Sequence, residues 1–401
     1  MWQRTKNYYH LIVAILVNVL FRFPGKKLKI IGVTGTDGKT TTTALIYHIL
    51  KSAGLPVSMI STTGAIIANK EYPLGFHVTT PSSFRLQQFI RKAVNSSRSS
   101  YLVLEVTSHA LDQKRIWGIP FAVGVITNVT SEHMDYHKTY DNYLQTKAKL
   151  LQKADIAILN KDDSSYEKLS INLEGLRKKI MTYSLMHDAD ITKKSFPFTT
   201  KLKGMFNEYN ILAASSAALA VGVEKNVVAD AISTFIPPLG RGDIVYEKDF
   251  NVMIDFAHTP NAFEQLLSTL RPFVSGKIIH VFGTAGERDR VKRPVMGEIS
   301  ARFSDVIILT SEDPRGEEIE KIMDEIELGI TGKKKTIRIP DRKEAIHKAI
   351  SMAKKGDFVL LTGKAHERSM NYGHGEEEWN EYKEVEIALR LRSPRLNRGS
   401  G

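Results

Sequence analysis

The segment from Ile30 to Thr43, IIGVTGTDGKTTTT, constrains the fold of this chain more than any other. An apolar run ends there in a glycine-rich turn, which is followed by Lys39, Thr40 and a stretch with helical periodicity. This order predicts a strand, a phosphate-binding loop and a helix, because glycines admit phosphate oxygens to backbone N–H groups and a helix N-terminus adds partial positive charge. In such a loop Lys39 would reach the terminal phosphates and Thr40 would hold Mg²⁺.

The loop departs from the strict pattern G-x-x-x-x-G-K-[ST] at one position. Val33 stands where the first glycine is required, and Gly32 comes one residue too early. An ordinary glycine-rich turn that contains GKT by chance is the alternative. The predicted strand before the loop and the predicted helix after it favour a phosphate-binding loop, because the motif requires that context.

Composition narrows the class of protein. The chain has 401 residues with 42% apolar and 25% charged residues, which indicates a globular protein of two or three domains. It has no cysteine, which excludes disulfides and thiolate metal sites and agrees with a cytoplasmic location. Its net charge is +12, but no nucleic-acid-binding module accompanies that charge. We therefore expect phosphorylated and carboxylated small molecules as ligands, and no nucleic acid.

Residues 1–27 differ in character from the rest of the chain. A basic start, MWQRTK, precedes a run from Leu11 to Phe21 that is apolar except for Asn18. The run is shorter than the roughly 20 residues of a membrane span, and no small-residue cleavage site follows it. A helix packed on the protein's own core is the favoured interpretation. Two alternatives are a peripheral contact of residues 1–22 with a membrane or a partner subunit, and a true membrane anchor.

The remaining chain alternates between strand and helix patterns and predicts an α/β protein. Short apolar runs typical of strands buried on both faces occur at residues 28–33, 101–106, 121–127 and 155–159. Residues 28–238 are predicted to form a central P-loop-type ATPase domain with a parallel sheet. The segment IPPLGRGD at 236–243 indicates a hinge. Residues 239–392 are predicted to form a Rossmann-like C-terminal domain, and residues 393–401 a disordered tail.

Polar residues follow the predicted strands at the edge where ligands bind in parallel sheets. Glu105 ends one strand and is a natural Mg²⁺ ligand beside a phosphate loop. His133 follows the next strand and could serve a second metal, and Lys147 lies on the helix after it. Taken alone, each of these residues has an ordinary alternative, namely a solvated strand end, a structural histidine or a surface lysine.

A series of motifs occurs in the order found in one family of enzymes. They are GTDGKTTT, EVTSHALDQKR, TNVTSEHMDYH, the Tyr143–Lys147 helix, GMFNEYNILAA, DFAHTPNA, FGTAGERDRVKRP, SEDPRGEE and GKAHE. Together they resemble the Mur ligases, ATP-dependent amide-bond ligases of peptidoglycan precursors. The most similar branch adds the third amino acid to UDP-N-acetylmuramoyl-L-alanyl-D-glutamate. The resemblance runs from about residue 28 to 390 and includes the TGTDGKT loop, so the mismatch at Val33 favours a ligase over a generic nucleotidase.

The resemblance implies roles for individual residues. Those implied to bind ATP are Gly35, Thr36, Asp37, Gly38, Lys39, Thr40, Thr41, Asn207, Asn210, Arg241, Asp255 and His258. Two Mg²⁺ ions are implied, one held by Thr40 and Glu105 and one by His133 and a carbamylated Lys147. Lys39, Glu105, His133 and Lys147 would form the catalytic set.

The resemblance also implies two substrate pockets. Residues that would hold the muramoyl peptide are Thr79, Thr80, Thr107, Gln113 and Arg115. Residues that would hold the free diamino acid, either diaminopimelate or a lysine-like one, are Arg288, Asp313, Arg315, Gly363 and Glu367. ATP would phosphorylate the substrate carboxylate, and an amine would attack the acyl phosphate. Metals and Lys39 would neutralise the two anions so that they can meet.

Departures from the family pattern leave the substrates open. The resemblance begins near residue 28, so the family's N-terminal uridine-nucleotide domain of about 100 residues has no counterpart before the phosphate loop. The uridine nucleotide of the substrate would then not be bound, would be bound by another chain, or would be replaced by a lipid carrier. Glu312, Asp313 and Ala365 replace Asp, Asn and Gly of the family motifs, and Asp37 replaces Asn. A lipid-linked or polyglutamate-like substrate is therefore the alternative, and a non-catalytic nucleotide-binding partner of another synthetase is a third possibility.

Overall fold

The computed structural model describes residues 2–75, 78–96, 99–332 and 334–392. It divides into two compact units, Met1–Pro238 and Leu239–Gly401, referred to below as unit 1 and unit 2. The predicted tail, residues 393–401, lies outside the described residues. Within the described part of the chain, no helix has both the length and the apolar character that are needed to cross a membrane.

Unit 1 begins with a long helix and continues as alternating strands and helices. Its elements are α1 (Trp2–Leu20), a 3₁₀ turn (Pro24–Lys27), β1 (Lys29–Thr34), α2 (Lys39–Ser52), β2 (Val57–Ser61), β3 (Gly64–Ile67), β4 (Lys70–Tyr72), α3 (Ser83–Asn95), β5 (Tyr101–Glu105), α4 (Ser108–Asp112), β6 (Phe121–Ile126), α5 (Met134–His137), α6 (Tyr140–Lys153), β7 (Ala154–Asn160), α7 (Tyr166–Ile171), β8 (Lys179–Ser184), β9 (Ile191–Thr192), α8 (Met205–Ala220) and α9 (Lys225–Thr234).

Nine strands in the described part of unit 1 form one sheet in the order β4-β3-β2-β5-β1-β6-β7-β8-β9. The pairs from β2 to β9 are parallel, and β3 and β4 add an antiparallel edge. β1 is central, with Val33 paired to Glu105 of β5 and Thr34 paired to Ile126 of β6. The loops that follow these three strands therefore meet at one edge of the sheet, which is where ligands bind in parallel sheets.

Both faces of this sheet are covered, which explains the near-continuous apolar strands. On one face Ile31 packs with Leu45 of α2 and Leu212 of α8. On the other, Ile30 packs with Leu86 of α3. Successive residues of β1 thus enter different cores, because side chains alternate across a strand.

Helix α1 packs along one face of unit 1. Ala14, Val17 and Asn18 are buried. The Asn18 amide donates to the carbonyl of Trp117 at 2.8 Å, and the Gln87 amide of α3 donates to Asn18 Oδ1 at 3.1 Å. The packing agrees with the favoured interpretation of this segment, and it accounts for the single polar residue in the apolar run.

Unit 2 is a second α/β arrangement. Its elements are β10 (Asp243–Glu247), β11 (Asn251–Asp255), α10 (Pro260–Leu270), a 3₁₀ turn (Arg271–Phe273), β12 (Ile278–Phe282), α11 (Lys292–Phe303), β13 (Val306–Leu309), α12 (Ile319–Glu327), β14 (Lys335–Arg338), α13 (Arg342–Met352), β15 (Phe358–Thr362), β16 (Ser369–Asn371), β17 (Glu376–Glu378) and α14 (Glu381–Arg392).

Six of these strands form a sheet in the order β10-β11-β15-β12-β13-β14, which is parallel except for β10. Phe263 of α10 and Met296 of α11 pack on one face, and Ile346 of α13 and Val385 of α14 on the other. Strands β16 and β17 form a separate antiparallel pair. The predicted α/β class, with large parallel sheets in both halves, is confirmed.

Candidate active site

The loop between β1 and α2 leaves no space for side chains at two of its glycines. Gly35 has φ +152°, and a Cβ there would lie 1.8 Å from Thr127 Oγ1. Gly38 has φ +78°, and a Cβ there would lie 2.2 Å from Asn210 Oδ1. Glycine is therefore required at both positions by backbone conformation and by close approach. The backbone N–H of Asp37 donates to Asn128 Oδ1 at 2.9 Å, which ties the loop to the segment after β6.

Two lysines converge on the backbone of this loop. Lys39 Nζ donates to the carbonyl of Thr36 at 2.7 Å, and Lys147 Nζ donates to the carbonyl of Gly35 at 2.5 Å. Lys147 is buried, and desolvation lowers its pKa well below the ordinary value, with a further contribution from the nearby charge of Lys39. The interpretation of Lys147 as a solvated surface charge is therefore wrong.

Glu105 lies at the centre of a network of hydroxyl groups beside the loop. Its side chain is only 1% exposed. Thr40 Oγ1 donates to Glu105 Oε1 at 3.1 Å, Thr62 Oγ1 donates to the same oxygen at 3.0 Å, and the Thr62 N–H donates to Oε2 at 2.9 Å. The hydroxyl of Thr40 and the carboxylate of Glu105 are oxygen donors of the kind that Mg²⁺ prefers, so this pair fits a magnesium ion.

His133 follows β6 in a group of packed rings. It adopts φ +58°, which is uncommon for a residue with a side chain. Its ring centroid lies 5.0 Å from that of His109 and 6.2 Å from that of Tyr143. Tyr143 OH lies 3.3 Å from Thr36 Oγ1, so the rings continue into the phosphate loop.

His137 belongs to the same group of rings. Its Nε2 lies 3.0 Å from Ser108 Oγ, and burial lowers its pKa to about 4, so the ring is neutral at pH 7. Across the residues that the structure describes, no three His, Asp or Glu side chains lie close enough together to hold a metal ion. Any metal here would need oxygens from hydroxyl groups, phosphate or water as well.

The residues predicted to hold the muramoyl peptide form a connected network next to Glu105. Thr80 Oγ1 donates to the carbonyl of Glu105 at 2.9 Å and accepts from the Thr107 N–H at 3.0 Å. Arg115 Nη1 donates to the carbonyl of Thr80 at 3.0 Å, and its Nε donates to Gln113 Oε1 at 2.8 Å. Thr79 connects to the same network through a 3.0 Å hydrogen bond with Thr62.

Asn207 and Asn210, two of the residues predicted to bind ATP, also reach the loop. Thr42 Oγ1 donates to Asn210 Oδ1 at 3.3 Å, and the Asn210 amide donates to Asn207 Oδ1 at 3.3 Å. Asn210 is buried directly behind Gly38. Helix α8 thus brings residues far away in sequence against the start of α2.

In unit 2 the predicted nucleotide residues cluster around the C-terminal end of β11. Asp255 accepts hydrogen bonds from the N–H groups of Gly242 at 2.7 Å and Ala257 at 2.6 Å. Burial raises its pKa to about 6, against the opposing charge of Arg241. The Arg241 guanidinium lies 4.8 Å from the ring centroid of Phe256, and His258 Nδ1 lies 2.8 Å from the carbonyl of Phe256.

The predicted amino-acid residues of unit 2 surround a buried ammonium group that sequence reasoning missed. Lys364 Nζ donates to both oxygens of Asp313, at 2.9 and 3.0 Å, and to Glu367 Oε2 at 2.7 Å. Asp313 also accepts from the Asn371 N–H at 2.9 Å. The negative charge of Asp313 is therefore paired with Lys364 inside the protein. The sequence did not reveal this pair, because the two residues are 51 positions apart.

The other members of this pocket differ in exposure. Arg288 is exposed, whereas Arg315 is half-buried. Arg315 Nη1 donates to the carbonyl of Gly286 at 2.6 Å. Gly363 has φ +102°, and a Cβ there would lie 2.0 Å from Glu312 Oε2. Burial raises the pKa of Glu312 to about 8, an effect that Arg342 and Lys292 oppose, so its carboxyl group is mostly protonated at pH 7.

Sequence reasoning also missed Thr62 and Asp112. Thr62 follows β2, whose sequence is VSMIS. The two serines interrupt the apolar pattern, so the strand that positions Thr62 was not recognised from the sequence. Asp112 Oδ2 accepts from Tyr136 OH and from the Asn7 amide of α1, both at 2.9 Å. No local signal distinguishes either residue, because their partners are distant in sequence.

Comparisons with protein families agree with this geometry. Residues 33–218 match the family described as Mur ligase middle domain, and residues 240–365 match the Mur ligase, glutamate ligase domain. A UDP-N-acetylmuramoyl-L-alanyl-D-glutamate--2,6-diaminopimelate ligase of Aquifex aeolicus is 40% identical over 365 residues, covering 86% of this chain and 74% of the relative. Such a ligase from Clostridium acetobutylicum is 37% identical over 376 residues, covering 88% and 77%.

Solved structures extend the similarity. A UDP-N-acetylmuramoyl-L-alanyl-D-glutamate--2,6-diaminopimelate ligase superposes with a TM-score of 0.61 at 30% identity, covering 91% of this chain and 79% of that one. A Mycobacterium tuberculosis folylpolyglutamate synthase superposes with a TM-score of 0.71 at 15% identity, covering 88% and 92%. At that identity the second similarity concerns the fold alone.

Proposed function

This chain belongs to the Mur ligase family of ATP-dependent ligases, and from that premise we propose that it adds 2,6-diaminopimelate to a muramoyl-L-alanyl-D-glutamate precursor in peptidoglycan synthesis. One observation carries the proposal. The Glu105 carboxylate accepts from Thr40 of the phosphate loop, and the Glu105 backbone carbonyl accepts from Thr80 of the predicted muramoyl-peptide network. Glu105 thus connects the residues proposed to bind ATP to the residues proposed to bind the substrate carboxylate.

The first half of the reaction transfers the terminal phosphate of ATP to the substrate carboxylate and forms an acyl phosphate. We assign Lys39 to the phosphate oxygens and Arg115 to the anionic peptide, because two anions approach each other only when their charges are neutralised. Mg²⁺, held by Thr40 and Glu105, would supply further charge neutralisation. No protein nucleophile takes part, so these residues act by positioning and by electrostatic stabilisation.

Lys147 is proposed to act as a carbamate rather than as an ammonium. Its lowered pKa favours the neutral amine, which is the form that adds to CO₂. The resulting carboxylate would complete a second Mg²⁺ site together with His133.

The second half of the reaction is attack of the amine on the acyl phosphate, with release of phosphate. In unit 2 we assign the exposed Arg288 and the half-buried Arg315 to the carboxylates of the amino acid, because a guanidinium binds a carboxylate in two-point geometry. Glu367 would receive its ammonium group. Asp313 is proposed to hold Lys364 in place rather than to contact the amino acid, since both of its oxygens accept from Lys364 and it is buried. Glu367 accepts from Lys364 through Oε2 and is only half-buried, so it lies nearer the surface that an amino acid would reach.

The test is ADP release by the whole chain with UDP-muramoyl-L-alanyl-D-glutamate, ATP and Mg²⁺. We expect release that depends on diaminopimelate, and slower release with lysine or ornithine, which lack the second carboxylate. Absence of release with every amino acid would refute the proposal. Equal rates with lysine would refute the assignment of Arg288 and Arg315.

A second candidate keeps the reaction and changes the carrier to a lipid-linked muramoyl peptide. The observation that favours it is the packing of α1 against the proposed substrate segment, where the Asn7 amide donates to Asp112 next to Gln113. We propose that residues 1–22 also form a contact surface, for a membrane or for a second protein. Turnover of lipid-linked and UDP-linked substrates at equal concentration distinguishes the two carriers. The need for ATP places either reaction at the cytoplasmic side.

A further inference from the structure

The outward face of α1 is apolar along most of the helix. Six side chains on this face are between 56% and 65% exposed, namely Tyr8, Tyr9, Ile12, Leu16, Val19 and Leu20. Their spacing places them within one-third of the helix circumference, because successive residues are rotated by about 100°. Phe84 of α3 is 45% exposed and lies edge-on to Phe21, with 5.6 Å between the ring centroids.

The opposite face of α1 holds the helix in this orientation. Ala14 and Val17 are buried, and Asn18 is bonded to the Trp117 carbonyl and to Gln87. A rotation that buried the apolar face would break these hydrogen bonds and expose a buried polar group. The exposed apolar strip is therefore fixed by the fold of unit 1. Contiguous strips of this kind mark interaction sites in soluble proteins.

The segment from α1 to β1 and helix α3 contain Lys and Arg but no Asp or Glu. The carboxylate that contacts α1, Asp112, is bonded to Asn7 and to Tyr136. The exposed basic residues of these two regions are Lys6, Arg22, Lys26, Lys27, Lys29, Arg85, Arg91 and Lys92. No Lys, Arg, Asp or Glu lies between Lys6 and Arg22, so the charges flank the strip and do not interrupt it.

Helix α3 extends this charge into an open groove of about 680 Å³ beside Phe21. The Arg91 guanidinium lies 5.6 Å from the Phe21 ring centroid, and Lys92 Nζ lies 4.0 Å from that of Tyr72. Within the described residues, neither cation is paired with a carboxylate. Both are held over aromatic rings instead, which leaves their charge available to an anionic partner.

We propose that this surface, formed by the outer face of α1 and the basic side of α3, docks on a bilayer that contains anionic lipids. An uninterrupted apolar strip with aromatic residues and flanking cations is the pattern of a helix that lies in the plane of a membrane interface. The basic groove adds attraction to anionic headgroups. A second copy of the chain fits less well, because a two-fold contact would bring the same cations face to face.

The docking has a consequence for the proposed reaction. Asn7 and Asn18 of α1 bond to Asp112 and to the Trp117 carbonyl. The segment between these two partners carries Gln113 and Arg115, which are proposed to hold the muramoyl peptide. A docked α1 therefore holds the substrate segment next to the bilayer surface. The inference rests on the contact surface proposed for residues 1–22, and it stands apart from the chemistry of the ligase.

The test is cosedimentation of the whole chain with vesicles of phosphatidylcholine alone and of phosphatidylcholine mixed with phosphatidylglycerol. We expect binding to the anionic vesicles that is about tenfold stronger than to the neutral ones and weakens when salt is raised from about 0.1 M to about 0.5 M. Ile12→Asn with Leu16→Asn should reduce that binding at least about tenfold. The matched control is Ile171→Asn with Met186→Asn, two apolar residues of unit 1 that are at least as exposed as Ile12 and Leu16.

The charges are tested separately. Arg91→Glu with Lys92→Glu should abolish the preference for anionic vesicles, whereas Lys194→Glu with Lys201→Glu, which makes the same change in net charge elsewhere on unit 1, should leave it. Equal binding to both vesicle types, or unchanged binding of the Ile12 and Leu16 variant, would overturn the proposal. A dimer that the Ile12 and Leu16 variant loses, without vesicle binding by either protein, would assign the strip to a second copy instead.

Ligase activity in vesicle-free solution distinguishes failure of this inference from failure of the proposed function. Ile12 and Leu16 point away from unit 1, so their variant should release ADP at the wild-type rate with the soluble UDP-linked substrate. Such activity also shows that the variant is folded. Vesicle binding without ADP release would leave the docking surface in place and refute the ligase. ADP release without vesicle binding would support the ligase and refute the docking surface.

Discussion

The phosphate-loop edge of unit 1 and the amino-acid pocket of unit 2 are held in place in different ways. In unit 1 the predicted residues are connected through hydroxyl groups and backbone atoms, since Thr40 and the unpredicted Thr62 both donate to Glu105. In unit 2 they are held by buried charges, as between Lys364 and Asp313. The placement of the site side chains in unit 1 therefore depends on strand register. In unit 2 it depends on the pairing of buried charged groups.

The difference explains where this chain departs from the family pattern. In unit 1 the departure that the sequence shows in the loop is Asp37, whose backbone N–H donates to Asn128 and whose carbonyl accepts from Thr127. In unit 2 two acidic changes are accommodated. Asp313 is neutralised by Lys364, and Glu312 is kept mostly protonated by burial. A pocket built on charge can accept such changes when a counter-ion or a proton compensates.

The largest expected effect comes from the loop itself. Lys39→Ala should lower the rate of diaminopimelate-dependent ADP release by about 10³-fold, because it removes the charge assigned to the terminal phosphates. Lys51→Ala in the same helix, at an exposed position, is the matched control and should change little. A Lys39→Ala enzyme with near-normal turnover would show that the loop does not bind the reacting phosphates.

A change in charge balance should affect stability in unit 2. Lys364→Met should cost about 3–5 kcal/mol of unfolding free energy, because it leaves the buried Asp313 and the half-buried Glu367 without this cation. Urea unfolding measures the loss, and Lys343→Met on the surface of α13 is the control. Adding Asp313→Asn to Lys364→Met should recover part of the loss. Additive effects of the two changes would contradict the pairing.

The role of Glu105 is tested by a smaller change. Glu105→Gln keeps the backbone carbonyl that Thr80 uses but removes the carboxylate charge. We expect about 10²-fold slower ADP release and a higher Mg²⁺ concentration for half-maximal rate. The Mg²⁺ titration is the informative measurement, because a purely structural role would lower the rate without moving the midpoint.

The smallest expected effect is a pH dependence of unit 2. The folded protein holds Glu312 with a pKa of about 8, well above that of an exposed glutamate. The protonated carboxyl group thus stabilises the fold fully below the ordinary glutamate pKa, and this contribution is lost as the pH rises through about 8. Glu312→Gln should therefore flatten the fall in thermal stability between pH 5 and pH 9, as followed by circular dichroism. An unchanged slope would mean that Glu312 is ionised in the folded protein.

The sequence by itself determined the fold class and the phosphate loop. Strands such as Leu102 to Leu104 are buried on both faces and are read directly from apolar runs, and the glycines at 35 and 38 follow from the loop motif. It also predicted a site role for Glu105 from its place at the end of a strand beside the loop, and one for Arg115 only through the resemblance to the Mur ligases. Local pattern carries this information because the interactions that form a strand or a glycine turn lie within a few residues.

Only the tertiary structure decided which side chains meet. It placed Thr62 on Glu105, Lys147 on the Gly35 carbonyl and Lys364 between Asp313 and Glu367. It also decided that one face of α1 is buried while the other stays exposed, which the apolar run alone left open. These outcomes depend on strand order and on burial, since a buried lysine and a surface lysine have the same letter in a sequence and differ only in what surrounds them.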